Sequence, residues 1–157
     1  MKKAFLRISA LSFAFLCAAS AVSAKTIKAS KVDVKAVSKL IDGNYKPKLD
    51  KDNMRISIKS SGASFVKLNE TKKIVVISSK WSLKEGTNSA GAAVLANVIN
   101  SSYGMVQASY RDATRDEGET FVLETTLPYV GGLDSDNLNF AIAQYVDAAE
   151  RLEELLK

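Results

Sequence analysis

Residues 54–78 read MRISIKSSGASFVKLNETKKIVVIS, and the fold turns on them. Met54, Ile56 and Ile58 alternate with Arg55, Ser57 and Lys59, which is the two-residue period of a strand with one face turned to a core. Strand character returns at 64–68 and 73–78, after the spacers Ser61-Gly62 and Asn69-Glu70-Thr71-Lys72. Spacers this short, made of turn formers, close antiparallel hairpins. A fourth run at 45–49 comes before them across Asp50-Lys51-Asp52-Asn53. The stretch therefore predicts a four-stranded antiparallel meander.

Helical patterns lie on both sides of it. Upstream, Ser30 is placed to cap a helix over 31–42, with Val32, Val34, Val37, Leu40 and Ile41 as its apolar stripe and Gly43 as its stop. Downstream, beyond a loop through Trp81 and Gly86, 88–102 has helical spacing. Gly91, Val94, Leu95, Val98 and Ile99 share one side there, Asn97 and Asn100 the other, and Gly104 ends the run. Strands over 105–111 and 120–127 then flank the polar turn 112–118 as a second hairpin. After Pro128 and Gly131-Gly132, Asp134 or Ser135 can cap a last helix, with Leu133 stapled against Leu138. Leu138, Ile142, Tyr145, Val146, Ala149, Leu152 and Leu156 carry that helix to the end of the chain. The order is helix, four strands, helix, two strands, helix: an α+β domain whose antiparallel sheet is covered by helices.

The chain begins differently. Lys2, Lys3 and Arg7 precede an apolar run over 8–19 and the small-residue tail Ser20-Ala21-Val22-Ser23-Ala24. That is the layout of a cleavable export signal, with cleavage expected after Ala24. A run of about a dozen apolar residues falls short of the roughly 20 that cross a bilayer as a helix, so no membrane span is expected after cleavage. Residues 25–157 then form a single periplasmic or secreted domain, long enough to bury a core without staples. Cys17 is the only cysteine and leaves with the leader, so packing alone must stabilise the domain although its compartment permits disulfides.

Composition narrows the function. The sequence has no histidine, and with no mature cysteine it lacks Cys/His zinc sites, Ser-His and Cys-His nucleophile pairs and imidazole acid–base work. No catalytic residue, metal or cofactor is expected. Charge is divided unevenly: 25–84 holds 15 basic and 5 acidic residues, 85–157 holds 4 basic and 12 acidic. The near balance of the mature chain argues against a general nucleic-acid binder. Its halves can neutralise each other within one molecule, or pair between two copies as a homodimer weakened by salt.

The string Ala93-Val94-Leu95-Ala96-Asn97-Val98-Ile99-Asn100, the strand pair after it, and Gly131-Gly132-Leu133 before a long C-terminal helix resemble the YbjN family over roughly 32–155. Gly43-Asn44-Tyr45 is similar to that family's opening. The resemblance implies a fold like that of type III secretion chaperones, which commonly dimerise and bind segments of other proteins. Family members carry the description of sensory transduction regulators, which names no reaction, and the resemblance supplies no catalytic residues. Fold alone does not fix function.

The binding candidates are correspondingly modest. Asn97 and Asn100 can present paired amides to a ligand, or else tie the helix to its surroundings. Trp81, the only tryptophan, is either a contact residue or a ring folded over the sheet edge. Asp112, Asp116, Glu117 and Glu119 lack the ordered spacing of a calcium loop and read as a solvated turn. Lys46, Lys48, Arg55, Lys59 and Lys67 make the first half basic. If several of them wall one metabolite-sized pocket, an enzyme or carrier of a small anionic molecule is indicated; an open sheet or an apolar groove indicates a non-enzymatic module that holds a protein segment or envelope component.

Overall fold

The meander read from 54–78 is present, and the strands around it complete a six-stranded antiparallel sheet. The structure, a computed structural model, describes residues 24–50, 53–57, 63–83, 89–114 and 118–156. Residues 1–23 of the leader expected over 1–24 lie outside the described residues, as do Ile58, Lys59, Ser61-Gly62, Gly86, Asp116 and Glu117. In chain order the elements are β1 (Thr26–Ile27), α1 (Val34–Ser38), β2 (Lys48–Asp50), β3 (Asn53–Ser57), β4 (Ala63–Asn69), β5 (Ile74–Ser82), α2 (Ser89–Ser102), β6 (Val106–Arg111), β7 (Thr120–Pro128), β8 (Leu133–Asp134) and α3 (Ser135–Leu155). The fold is α+β.

Strand order in the large sheet is β2-β3-β4-β5-β7-β6. The second hairpin therefore joins through β7, and β6 becomes an edge. Burial accounts for the choice. On the inward face β7 buries Phe121, Leu123 and Leu127 where β6 buries only Val106 and Ala108, so β7 gains more from the centre. Alternation sets the two faces of the sheet: Met54, Ile56, Val66, Val75 and Ile77 turn inward, and Arg55, Phe65 and Lys67 turn out. Buried residues of all three helices join those inward side chains in one core, so the helices lie on one face, and among the described residues the other face is open.

The last helix follows its sequence signals closely. Asp134 is the cap, its Oδ1 accepting from the backbone N–H groups of Asp136 at 2.9 Å and Asn137 at 3.1 Å, and Leu133 and Leu138 on either side of it are both buried. Leu138, Ile142, Tyr145, Ala149 and Leu152 are fully buried along one stripe. Complete burial of side chains this large contributes about 1.5–3 kcal/mol each, which seats α3 across the sheet. The Tyr145 hydroxyl donates to the Leu123 carbonyl at 3.5 Å, and burial pushes its pKa up to about 12.

The first helix is where the expectation from sequence fails. Ser30 does not cap a helix over 31–42; it lies in a 3-10 turn, Ala29–Lys31, and α1 spans only Val34–Ser38. Asp33 Oδ1 accepts from the Ala36 N–H at 2.6 Å, so an aspartate inside the apolar pattern starts the helix late. Gly43 is not a helix stop either: it opens a second 3-10 turn, Gly43–Tyr45, after which Lys46 has a left-handed φ of 45°. The strand expected over 45–49 shortens to β2 because that turn and Pro47 occupy its first half.

A further strand pair had no sequence signal. β1 pairs with β8, Thr26 opposite Asp134 and Ile27 opposite Leu133. The backbone N–H of Lys25 donates to Ser135 Oγ and that of Ser135 to the Lys25 carbonyl, both at 2.9 Å. Gly132 makes the approach possible. Its φ is +127°, and a Cβ there would stand 2.7 Å from the Ile27 carbonyl oxygen.

Candidate binding surfaces

α2 seats against the sheet on its small residues. Ala92, Ala96 and Ile99 are its buried positions, while Val94 is 62% and Val98 39% exposed, so the bulky stripe expected to face the core largely faces out. Close approach is the reason. Asn100 reaches the edge strand β6, donating through Nδ2 to the Ala108 carbonyl at 3.0 Å and accepting from the Ala108 N–H through Oδ1 at 2.6 Å. A backbone N–H and C=O of one residue in an antiparallel strand point to the same side. Because those of Ala108 meet Asn100 and not β7, the asparagine closes the open edge as a neighbouring strand would. Asn100 is therefore a structural tie, and Asn97 is exposed three residues away without sharing that role.

The exposed side of α2 forms a groove of about 520 Å³ with the end of α3. Val94, Leu95 and Val98 of α2 line it together with Arg151, Leu155 and Leu156 from the end of the chain. Leu155 is 56% exposed. The sequence marks Val94, Leu95, Val98 and Leu156 as members of apolar helix sides but not of a groove, because helical spacing does not say how closely a helix approaches its neighbour. One signal was available: none of the fourteen residues of α2 is charged.

On the open sheet face a row of cross-strand partners runs Lys48, Arg55, Phe65, Ser78, Glu124, Gln107. Phe65 is exposed in the row's basic half, with the Arg55 guanidinium 5.1 Å and the Lys67 ammonium 5.9 Å from its ring centroid. The parity of β4 that turns Phe65 out turns Ser64 in, where its hydroxyl bonds that of Ser79 at 2.7 Å. Lys46 lies apart in the left-handed turn, exposed. Lys46, Lys48, Arg55 and Lys67 thus spread over a surface, and among the described residues they do not wall one cavity. The exposed acids of α3, Asp136, Asp147 and Glu154, lie on the helix side of the sheet, so the layers separate them from these strand cations.

Trp81 folds inward. Its half-buried ring packs against the core, and the indole N–H donates to Glu153 Oε1 at 3.4 Å. Glu153 is itself buried on α3, with Oε2 left without a hydrogen-bond partner. In the polar turn Asp112 is exposed and Glu119 accepts from the Tyr110 hydroxyl at 2.9 Å. Among the described residues no three acidic side chains gather as a metal could require, and no helix is long and apolar enough to cross a membrane.

Another concave site lies between β1 and α1. This cleft of about 600 Å³ is lined by Lys25, Lys31, Lys35 and Lys39, by Asp33, and by Ile27, Ala36 and Leu40. None of the lysines singled out from the sequence belongs to it.

A six-stranded antiparallel sheet with helices on one face, an apolar groove and a lysine-lined cleft defines an α+β protein with surfaces suited to binding. No family model matches the chain, and no curated protein sequence matches it. Among solved structures, YbjN from E. coli, described as a candidate transcription regulator, matches with a TM-score of 0.60 over 75% of this chain and 86% of that one, at 12% identity. The fold is YbjN-like, as the sequence resemblance implied.

Proposed function

We propose that this protein is a non-enzymatic binding module of the bacterial cell envelope, exported by the leader over 1–24, and that the groove between α2 and the end of α3 holds an apolar segment of another protein. Its role is chaperone-like or regulatory. The observation that carries the reading is Val94, 62% exposed on a helix without a charged residue. A surface helix ordinarily sets charges on its outer face, and contiguous exposed apolar side chains rimmed by polar groups mark sites of protein contact. Export rests on the leader layout alone, with Lys2, Lys3 and Arg7 before the apolar run over 8–19 and the small-residue tail that ends at Ala24. The test is photo-crosslinking from Leu155 in an envelope fraction. One discrete adduct is expected from the wild-type protein, and Val94→Asp should abolish it with no loss of thermal stability. Identical adducts from both proteins would overturn the reading.

Self-association follows the same geometry. With the strand cations on one side of the sheet and the α3 acids on the other, pairing sheet to helix between copies is head-to-tail and leaves a free surface at each end. A two-fold homodimer is therefore not closed by charge. Its sedimentation should be unchanged between about 0.1 M and 1 M salt, although the screening length falls from about 10 Å to about 3 Å. Dissociation on adding salt would restore electrostatic pairing.

A further inference from the structure

We propose that the cleft between β1 and α1 binds a small polyanion carrying two or more phosphate groups. The site is independent of the α2 groove and goes beyond the reading built on it. Its volume of about 600 Å³ lies in the range of small-molecule sites. Four of its eight lining residues are lysines, and the single acid among them, Asp33, already accepts the hydrogen bond that starts α1.

Lys35 and Lys39 are four residues apart across α1, a spacing that places their Cβ atoms about 5–6 Å from each other. Like charges at that spacing repel and lower helix stability. α1 is only five residues long, with Lys35 in its last turn and Lys39 at its C-cap; the helix dipole favours each cation there but does not remove the repulsion between the two. Lys25 belongs to the wall by a different route, since it is held there by the backbone and Ser135 bonds that anchor β1. The cations are thus gathered into one concavity by two elements, and the pairing of β1 with β8 fixes how they face each other.

The chemistry of the ligand follows from the kind of cation. A single carboxylate is best met by the planar fork of arginine, and no arginine lines the cleft. Lysines are compact point charges with three donors each, and several of them together suit the spread oxygens of phosphate groups. Ile27 and Leu40 add an apolar part to the lining, so the same phosphate chemistry can be presented by a free polyphosphate or by a lipid headgroup.

The experiment uses the protein purified after expression with its own leader. Inorganic tripolyphosphate is titrated calorimetrically, and sedimentation is measured with phosphatidylcholine vesicles with and without cardiolipin, whose headgroup carries two phosphates. Saturable binding is expected in at least one arm, with a loss of at least about tenfold, or about 1.4 kcal/mol, in Lys35→Glu/Lys39→Glu. Lys67→Glu, on the open sheet face, should leave the affinity unchanged, and far-UV circular dichroism should show all three proteins folded. Tripolyphosphate binding identifies a free polyanion; binding only to the cardiolipin vesicles identifies a headgroup. Absence of binding in both arms overturns the proposal, as does an equal loss in Lys67→Glu, which would mean attraction to net charge alone.

Discussion

Phe121→Ala should lower the stability of the domain by about 3–5 kcal/mol and its melting temperature by roughly 10–20 °C. Phe121 is fully buried in β7, with Trp81 of β5 opposite it on one side and Tyr110 of β6 on the other. Cross-strand aromatic neighbours of this kind are a principal unit of sheet stabilisation, and this row joins the meander to the second hairpin. Truncating its middle member removes apolar burial and leaves a cavity that the strands on either side cannot close without breaking their own pairing. The loss is a large share of the 5–15 kcal/mol that a domain commonly has. Thermal unfolding followed by circular dichroism measures it. The emission of Trp81, the only tryptophan, should change in the same variant. A cost under about 1 kcal/mol would show that the row is not the joint described here.

Gly132→Ala should detach the N-terminal strand. The glycine has a φ of +127°, and an added Cβ would lie 2.7 Å from the Ile27 carbonyl oxygen. Backbone strain of this kind costs about 1–3 kcal/mol, and relief of the clash requires β1 to leave β8. The lysines just around β1, Lys25 and Lys28, should then become open to trypsin, which the paired strand resists. Gly131→Ala is the internal comparison. A Cβ at Gly131 meets nothing within 4 Å, so its effect should fall within about 0.5 kcal/mol. Equal destabilisation and equal trypsin sensitivity in the two variants would refute the role given to Gly132. Detachment would also carry Lys25 away from the polyanion cleft.

The basic half illustrates where pattern stops being informative. An excess of lysine before residue 84 is plain in the sequence, and Lys46, Lys48 and Arg55 were reasonable candidates because they crowd the predicted strands. The residues that share a cavity are Lys25, Lys31, Lys35 and Lys39. Their association depends on β1 docking more than a hundred positions along the chain, at Leu133–Asp134. A two-residue strand has no period to detect. Asn100 shows the same limit on a smaller scale: its type and spacing are visible, but its engagement of both backbone groups of Ala108 follows from how near α2 lies to β6.

By itself the sequence determined the α+β class, the antiparallel meander, the second hairpin, the capped C-terminal helix and the YbjN-like resemblance. These rest on periods of 2 and 3.6 residues and on turn and cap chemistry, all local enough to be written in consecutive residues. Tertiary structure decided that β7 rather than β6 joins β5, that α2 turns Val94 and Val98 outward, that Asp33 shortens the first helix, and that β1 closes the lysine cleft. Each of these depends on which surfaces meet across the core. That is set by the competition of whole elements for burial, and a repeating pattern within one element carries no record of it.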